Sequence, residues 1–282
     1  MKNSSQKQSK TLDTQLVALI AGEGKMPHLI IEAIHKEKKQ VLLLAIKGVT
    51  PKAIIKLADQ SVSLAITQIG RAIKECKKRN ICELSMAGRV PHRTIFSLSL
   101  LKMDWLTLKT WWKLPDWRAD TILKSVSNLF SDSGIVVMNS VKYLSSYLIP
   151  KGILSQNKPS QKTLDDINFG KKIARELGRL DIGQTVVVKQ QSIVALEAME
   201  GTDHCLQRAF DLAGPGCCVV KLAKPAQDMR FDVPTIGKNT IEKLIKIKAS
   251  ALAVEAEKTL IVDKDALELA KMHNLCVVGI ET

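Results

Sequence analysis

The chain has 282 residues, of which 45% are hydrophobic and 25% charged, and it carries a formal net charge of +14. This mix is typical of globular proteins with a sizeable core, and the length predicts one large domain or two moderate ones. No apolar run reaches the roughly 18 residues that span a bilayer. The six cysteines form no CxxC pair, which argues against a zinc or disulfide scaffold. The net charge indicates an anionic partner, without choosing among nucleic acid, a membrane surface and a phosphorylated substrate.

The first half of the chain alternates short apolar runs with longer amphipathic segments. Residues 1–12 are polar and lack the apolar region of a secretory signal, which predicts a disordered tail and a cytoplasmic protein. Within residues 13–150, the runs LVALIA, VLLLAI, ICELSMAG and IVVMN read as strands separated by helical segments. This rhythm predicts a Rossmann-like, three-layer α/β domain with a parallel sheet between helices.

Residues 151–165 have a different composition, rich in Lys, Ser, Gln and Pro, which predicts an interdomain linker. Residues 166–282 predict a second α/β domain with a mixed sheet. Its first strands, TVVVK and SIVALEAME, are separated only by Gln190 and Gln191, so they are expected to form a hairpin.

Three helix ends in the second half can be placed from sequence. Gly178 is expected to be the C-cap of the helix DINFGKKIAREL, because glycine is common there. Thr202 or Asp203 suits the N-cap of the next helix, HCLQRAFDLA. A further helix is expected from Thr240, followed by the strands ALAVEA and TLIVD, the helix DALELAKMHN and the strand CVVGI.

The turn LIAGEGKMPHLI resembles a dinucleotide-binding fingerprint only in part. Gly22 and Gly24 have the right spacing, but Pro27 replaces the third glycine, and the strand VLLLAI ends in lysine rather than an acid. Two glycines still allow close backbone approach to an anion, with a helix starting near Pro27. A second strand ends in Gly88, which strengthens the prediction of a nucleotide or phosphate site. A tight strand–helix turn without a ligand is the alternative.

Charged and polar side chains gather at predicted strand ends and turns of the second half. Carboxylate oxygens of this kind suit Mg²⁺ rather than zinc, and Lys and Arg suit phosphate oxygens. Metal, cations and carboxylates together predict phosphoanhydride cleavage. The residues are Asp181, Gln184, Glu197, Glu200, Asp203, Lys224, Gln227, Asp228, Arg230 and Asp232.

A structural alternative remains open for part of this set. Asp228, Arg230 and Asp232 could form only a salt-bridged turn, held by Pro225 and Pro234. For any one residue the two interpretations weigh about equally. For the set as a whole, the functional interpretation is favoured.

The segments LIAGEGKMP, MAGRV, LGRLDIGQ, VALEAMEGTD and KPAQDMRFDVPTIG occur in this order. In them the chain resembles the two-domain UDP-2,3-diacylglucosamine pyrophosphatase family of the lipid A pathway, from about Leu16 to the C-terminus. The resemblance implies a magnesium-dependent hydrolase that releases UMP and 2,3-diacylglucosamine 1-phosphate. It also implies that the substrate is held between the two domains and that the protein is a homodimer.

The resemblance also implies roles for individual residues. Asp232 is the first choice for the carboxylate that binds metal or activates water, and Asp228 is the second. The remaining residues would contact substrate: Gly22, Gly24, Met26, Pro27 and Gly88 on the nucleotide or glucosamine side, and Asp181, Gln184, Glu200, Thr202, Asp203, Lys224, Gln227, Arg230 and Thr235 around the phosphates.

All four tryptophans lie in the segment WLTLKTWWKLPDW, at positions 105, 111, 112 and 117. A core or interface cluster is the favoured interpretation, since tryptophan is usually buried. The alternative is contact with the inner membrane surface, because Trp beside Lys102, Lys109 and Lys113 suits an anionic lipid–water boundary.

Two other classes of function are weaker. A nucleic-acid-binding module would use the net charge, but its basic residues should alternate with aromatics on a platform, and we predict no nucleic-acid partner. A protein that binds a nucleotide sugar or lipid without turnover would have the same pocket.

Overall fold

The computed structural model describes residues 15–91, 103–225, 227–263 and 265–282. The predicted tail at residues 1–12 lies outside them. The chain divides into two compact units, Met1–Met138 and Asn139–Thr282. None of the helices in the described ranges is long and apolar enough to cross a membrane.

The first unit contains a five-stranded sheet in which every pairing is parallel, in the order β3-β2-β1-β4-β5. Its strands β1 and β2 are buried almost throughout, as expected for strands covered on both faces, and so read as continuous apolar runs. The strands are β1 Leu16–Ala21, β2 Gln40–Ile46, β3 Gln60–Leu64, β4 Glu83–Ala87 and β5 Val136–Val137.

Five described helices belong to this unit, and each long one has an apolar face. In the first helix, Pro27, Ile30, Ile31 and Ile34 are buried at helical spacing. The helices are α1 Met26–Lys36, α2 Lys52–Ile55, α3 Ile69–Lys77, α4 Trp105–Trp111 and α5 Ala119–Asp132. The parallel sheet and the α/β class predicted for this half are confirmed.

The second unit contains a six-stranded mixed sheet in the order β6-β13-β11-β9-β7-β8, and a small parallel pair, β10-β12. The central strands β9, β11 and β13 are parallel to one another, while β6, β7 and β8 run antiparallel to their neighbours. The mixed sheet was predicted correctly. The strands are β6 Gly152–Ile153, β7 Thr185–Lys189, β8 Ser192–Leu196, β9 Cys218–Lys221, β10 Thr235–Ile236, β11 Ala251–Glu255, β12 Leu260–Ile261 and β13 Cys276–Ile280.

Two hydrophobic clusters fill the second unit, one on each face of its sheet. Because neighbouring residues of a strand point to opposite faces, Val187 and Val219 lie in one cluster and Val186 and Val220 in the other. The α-helices packed around them are α6 Gln161–Arg179, α7 Thr202–Ala213, α8 Lys238–Lys246 and α9 Asp265–Met272.

The predicted helix ends need correction in three places. Gly178 lies inside α6, where a side chain would meet Pro225 and Lys224, and the left-handed residue after the helix is Asp181. Helix α7 has Gly201 as its N-cap, with φ +81°, so Thr202 is its first residue rather than its cap. Helix α8 begins two positions before Thr240, at Lys238.

The segment 151–165, predicted as a linker, lies within the second unit. It contains β6, which pairs with β13, and the first turn of α6, whose N-cap is Ser160. The strand β3 and the helix α4 have no counterpart in the sequence prediction. Strand β3 reads QSVSL and buries only Leu64 fully, so it lacks an apolar run.

The β7–β8 hairpin was predicted correctly, and its turn is held by a buried carboxylate. Gln190 and Gln191 are both left-handed, with φ of 50° and 56°. Asp166, on α6, is 6% exposed and accepts hydrogen bonds from their two backbone N–H groups, at 3.2 and 2.6 Å.

Replacing Asp166 with Ala should lower the free energy of unfolding by about 2–4 kcal/mol, because two backbone N–H groups lose their acceptor. Urea denaturation measures this change. The neighbour Asp165, which accepts only an exposed bond from Gln161, provides the control, and Asp165→Ala should cost less than about 0.5 kcal/mol. Equal losses for both variants would contradict the role of Asp166.

Candidate functional site

In the first unit, the predicted glycine turn lies where β1 and β4 end side by side. In the order β3-β2-β1-β4-β5, the chain runs from β1 to β3 toward one side of the sheet and from β4 to β5 toward the other side. Such a topological switch point is the usual ligand crevice of parallel sheets. Here the two strand ends are joined by backbone hydrogen bonds, from Gly22 to Ala87 at 2.8 Å and between Glu23 and Arg89 at 2.8 and 2.9 Å. An exposed ion pair between the side chains of Glu23 and Arg89 adds to this link.

This pairing explains why positions 22 and 88 require glycine. A Cβ on Gly22 would lie 2.5 Å from the Arg89 carbonyl oxygen, and one on Gly88 would lie 2.7 Å from that of Glu23. Gly22 and Gly88 therefore allow the two loops to approach each other, and contact with a ligand stays a prediction.

The other three residues of the turn differ in their surroundings. Gly24 has φ +105° with open space around it, so only its backbone conformation requires glycine. Met26 and Pro27 form the first turn of α1, whose N-cap Lys25 makes no side-chain cap bond. The first N–H groups of a helix have no partner within the helix, and this general feature could let the start of α1 bind an anion.

In the second unit, the predicted polar residues gather at one edge of the six-stranded sheet. Strands β9 and β11 end there, with Lys221 and Glu255 as their last residues. Strand β7 is antiparallel to β9, so its first residue, Thr185, is paired with Lys221. Strand β8 ends at the same edge and leads through Glu197 into α7. Antiparallel pairing thus brings residues distant in sequence to one place.

Lys221 is at the centre of this edge. Its Nζ donates to Thr202 Oγ1 at 3.1 Å, and Thr202 Oγ1 donates to Glu197 Oε1 at 2.8 Å. Burial lowers the pKa of the Lys221 amine, while the charges of Glu197, Asp203 and Asp232 act in the opposite direction. Lys221 is therefore a buried amine whose charged form is favoured by nearby acids, of which Asp203 is also paired with Lys243.

Gly183 explains how close these elements come. A Cβ at Gly183 would lie 2.1 Å from the Glu197 carbonyl oxygen, which no side chain could tolerate. The Glu197 N–H donates to the Thr185 carbonyl at 2.9 Å. Glu197 is thereby fixed beside β7, and its Oε2 is buried without a hydrogen-bond partner in the described part of the chain.

The loop after β9 carries the predicted phosphate-binding residues. Lys224 Nζ lies 2.5 Å from Asp181 Oδ1, so these two predicted residues are brought together. The Gln227 side chain accepts from the Lys224 N–H at 2.8 Å, while its Nε2 is buried with no partner within the described ranges. The backbone carbonyl oxygen of Gln184 accepts a hydrogen bond from the Leu222 N–H at 3.0 Å.

Asp228 and Arg230 form a bidentate ion pair. Arg230 Nε donates to Asp228 Oδ1 at 2.9 Å, and its terminal nitrogen lies 2.6 Å from Oδ2. This hydrogen bonding raises the pKa of the Arg230 guanidinium. The Asp228 carbonyl also accepts from the Asp232 N–H at 2.9 Å. Asp228 thus organises the turn that presents Asp232. This agrees with the structural alternative, in which these residues form a salt-bridged turn.

The remaining predicted residues lie at the margins of the site. Glu200 pairs with Arg208, and hydrogen bonds from its own backbone N–H and from Arg208 hold the pKa of its carboxyl below the usual value. Asp203 forms an ion pair with Lys243 of α8. Thr235 lies in β10, paired with Leu260 of β12.

Sequence reasoning gave no role to Lys221 and Glu255. Glu255 is buried and binds the Ala223 N–H at 3.0 Å and Lys258 Nζ at 2.7 Å. Burial acts to raise the pKa of its carboxyl, but bonds from Lys258, Thr282 and Ala223 hold it below the usual value. Each of the two is the last residue of an apolar run, CCVVK or ALAVE. An ionisable residue at the end of a buried strand was the sequence signal that could have identified them as site residues.

The donor set can be compared with the needs of Mg²⁺. Across the described ranges, no three His, Cys, Asp or Glu side chains cluster as metal ligands. Magnesium usually binds through one or two carboxylates together with substrate phosphates and water. Asp232 and the unpartnered Oε2 of Glu197, whose charges both act on Lys221, are the candidate ligands, whereas both oxygens of Asp228 face Arg230.

An edge that combines an ammonium group, hydroxyls and carboxylates on an α/β fold suits an enzyme that acts on a phosphorylated substrate. The model of the LpxI N-terminal domain matches residues 16–147, and that of the LpxI C-terminal domain matches residues 150–278. The chain therefore belongs to the LpxI family.

One curated relative is the UDP-2,3-diacylglucosamine pyrophosphatase LpxI of Caulobacter vibrioides. It is 28% identical over 280 residues, which cover 94% of this chain and 97% of that protein.

Similarity to solved structures is weak. The biotin carboxylase domain of a thermophilic 2-oxoglutarate carboxylase is 10% identical, with a TM-score of 0.27, over 70% of this chain and 33% of that one. Phosphoribosylglycinamide synthetase from Anaerococcus prevotii is 14% identical, with a TM-score of 0.27, over 73% of this chain and 44% of that one. This chain spans less than half the length of either protein.

The Asp228–Arg230 pair can be tested by a double-mutant cycle on the free energy of unfolding. Asp228→Ala and Arg230→Ala should each destabilise the protein, and the double variant should show a coupling of about 1 kcal/mol, because the bidentate bond is lost only once. A matched cycle on the exposed pair Arg179–Glu176 should give a coupling below about 0.5 kcal/mol. Coupling no larger for Asp228–Arg230 than for that pair would contradict the ordered turn.

Proposed function

We propose that this chain hydrolyses the pyrophosphate bond of UDP-2,3-diacylglucosamine, giving UMP and 2,3-diacylglucosamine 1-phosphate, in lipid A biosynthesis. The observation that carries the proposal is that models of both LpxI domains match, together covering residues 16–278 apart from two positions between them. The curated relative with that activity is matched over nearly its whole length. The polar edge of the second unit supplies the groups that this reaction requires.

Cationic groups at this edge bind the diphosphate in the proposed reaction. Lys224 and Arg230 lie on the loop after β9 and would face phosphate oxygens. Gln227, which is bonded to Lys224, and Thr202, which is bonded to Lys221, would add hydrogen bonds. Each cation is held by a carboxylate, Asp181 for Lys224 and Asp228 for Arg230, so their positions are set before substrate arrives. Groups fixed in advance stabilise charge on a phosphate without reorganising during the reaction.

Asp232 acts as the general base. Its carboxylate takes a proton from the attacking water, whose oxygen forms a bond to phosphorus. The bond from that phosphorus to the bridging oxygen breaks, and the electron pair leaves with the other phosphate. Asp232 follows the ordered turn of Asp228 and shares its electrostatic environment with Lys221.

Lys221 positions the acids in this proposal. Its ammonium is anchored on Thr202 and offsets the charges of Glu197, Asp203 and Asp232. Without it, Glu197 and Asp232 would lose a nearby positive charge and would repel the incoming diphosphate more strongly. Lys221 therefore maintains an ionised base next to an anionic substrate.

Magnesium, bound with substrate by Asp232 and Glu197, would neutralise phosphate oxygens and polarise the attacking water. The free N–H groups at the start of α1, with Gly24, would bind the nucleotide or glucosamine part of the substrate. We also propose that the protein works as a peripheral protein on the inner face of the inner membrane, because its substrate carries two acyl chains. The family resemblance supports a homodimer.

Asp232→Asn should reduce UMP release from UDP-2,3-diacylglucosamine by about 10²- to 10⁴-fold, since it removes the base. Circular dichroism should show an unchanged fold. Asp211→Asn, an exposed change on α7, should leave the rate unchanged. EDTA should stop release by the natural protein, and magnesium should restore it. Equal rates for Asp232→Asn and Asp211→Asn would reject the assignment of Asp232.

Lys221→Met should lower kcat by about 10²-fold, because the acid cluster loses its counter-charge. Lys221→Arg should keep part of the activity. The control is Lys189→Met, at the other end of β7, where Lys189 Nζ donates to the carbonyls of Ala213 and Pro215. This control should lower the Tm but change kcat less than about threefold. A kcat loss in Lys189→Met as large as in Lys221→Met would show that only stability is affected.

A further inference from the structure

Helix α4 is held on the first unit by one face. Asp104, its N-cap, accepts from the N–H and the Oγ1 of Thr107, at 2.9 and 2.8 Å, and its other oxygen accepts from the Arg71 N–H at 3.1 Å. Thr107 Oγ1 accepts from the Ile69 N–H at 3.2 Å. Because Arg71 and Ile69 belong to the first turn of α3, these bonds fix α4 against that helix.

The same face of α4 buries Trp111. This side chain is 4% exposed and makes an edge-on contact with Trp117, with ring centroids 5.9 Å apart. Thr107 is fully buried beside it. The inward face is therefore filled by Thr107 and Trp111, and it leaves no place in the core for the other tryptophans.

The opposite face of α4 is apolar and exposed. Trp105 is 77% exposed and Trp112 is 87% exposed, and Leu106 is exposed as well. Trp117 is 55% exposed. The core part of the favoured interpretation, a core or interface cluster, is found at Trp111, whereas the other three tryptophans are exposed and available to an interface. Large exposed aromatic patches mark interaction sites, and Trp is the residue typical of the membrane–water interface.

The charge on this exposed face is positive. Lys109 and Lys113 are exposed on it, and neither forms an ion pair in the described part of the chain. The acid at the start of the helix, Asp104, is occupied by the capping bonds, and Asp116 is paired with Arg118. Lys102, named in the sequence analysis, lies outside the described residues. The chain as a whole carries +14.

We propose that the exposed face of α4, formed by Trp105, Leu106, Lys109, Trp112 and Lys113, is a docking surface for an anionic lipid bilayer. The indole rings enter the interface, and the two lysines face lipid phosphates. The helix lies in the plane of the surface, because its bonds to α3 fix which face points outward. This inference concerns binding and is independent of hydrolysis.

Intrinsic tryptophan fluorescence tests the proposal directly, since all four tryptophans lie between positions 105 and 117. The natural protein is mixed, without substrate, with vesicles of phosphatidylcholine alone or of an equal mixture with phosphatidylglycerol. We expect a blue shift with the anionic vesicles and quenching by lipids brominated on the acyl chains. An unchanged emission spectrum with both vesicles would overturn the proposal.

Matched double variants assign the binding to this face, by co-sedimentation with the anionic vesicles. Trp105→Ala with Trp112→Ala should weaken binding at least about tenfold, whereas Leu212→Ala with Met272→Ala, equally exposed apolar residues in the second unit, should not. Equal binding by the two double variants would overturn the assignment.

Lysine variants test the charge. Lys109→Gln with Lys113→Gln should weaken binding about thirtyfold, and Lys74→Gln with Lys77→Gln on α3 much less. Equal losses would show binding through net charge only and would overturn the assignment to α4.

A second copy of the chain is the other possible occupant. If the face instead pairs two copies, the emission spectrum will shift with protein concentration in the absence of vesicles. That result would also reject the membrane assignment.

Discussion

The polar edge of the second unit depends on the balance between a buried amine, Lys221, and the acids near it, at the end of the central strands. Lys221 closes a buried strand, and the hydroxyl of Thr202 anchors its amine. Burial disfavours the charged amine, and the nearby acids favour it. The two effects oppose each other, because burial lowers the pKa of the amine and the negative charges of Glu197, Asp203 and Asp232 act to raise it. The position of each group is thus set by the others.

The backbone fixes this balance. Gly183 allows the segment after β8 to approach β7 closely enough to seat Glu197, and Gly201, with its left-handed φ, starts α7 so that Thr202 reaches Lys221. The loop after β9 is ordered separately by the Asp228–Arg230 pair, which places Asp232. Two glycines and one ion pair therefore bring together a site whose members span much of the second unit's sequence.

Sequence patterns predicted the parts of this architecture that depend on local periodicity. Apolar runs predicted β1 and β2, and two adjacent residues suited to a turn predicted the β7–β8 hairpin. Strand β3 was missed because its sequence is largely polar. Gly178 was wrongly predicted as a C-cap, because glycine at that position makes room for Pro225 and does not end the helix. The structure brings several of the residues named from sequence to one edge, but Lys221 was not named, since its place there comes from antiparallel pairing with Thr185. Pairing of distant strands leaves no local signal in a single sequence.

The two units use similar sequence features for different purposes. In the first unit, the glycines after β1 and β4 let two loops pair, and the tryptophans divide between one buried anchor and an exposed surface. In the second unit, the glycines bring ionisable side chains together. A glycine in the sequence therefore indicates a close approach, and a tryptophan indicates an apolar contact. The tertiary structure shows which group makes that approach or contact.

The most direct test of the central claim is the titration of Lys221 by NMR, with lysine side chains labelled at Cε and Nζ and the signal assigned through Lys221→Arg. The Lys221 amine should titrate below the other lysines, because its pKa is lowered by burial. In Asp232→Asn it should titrate lower still, because one of the negative charges that favour the ammonium is gone. A Lys221 signal that titrates with the surface lysines, or that is unchanged by Asp232→Asn, would contradict the account.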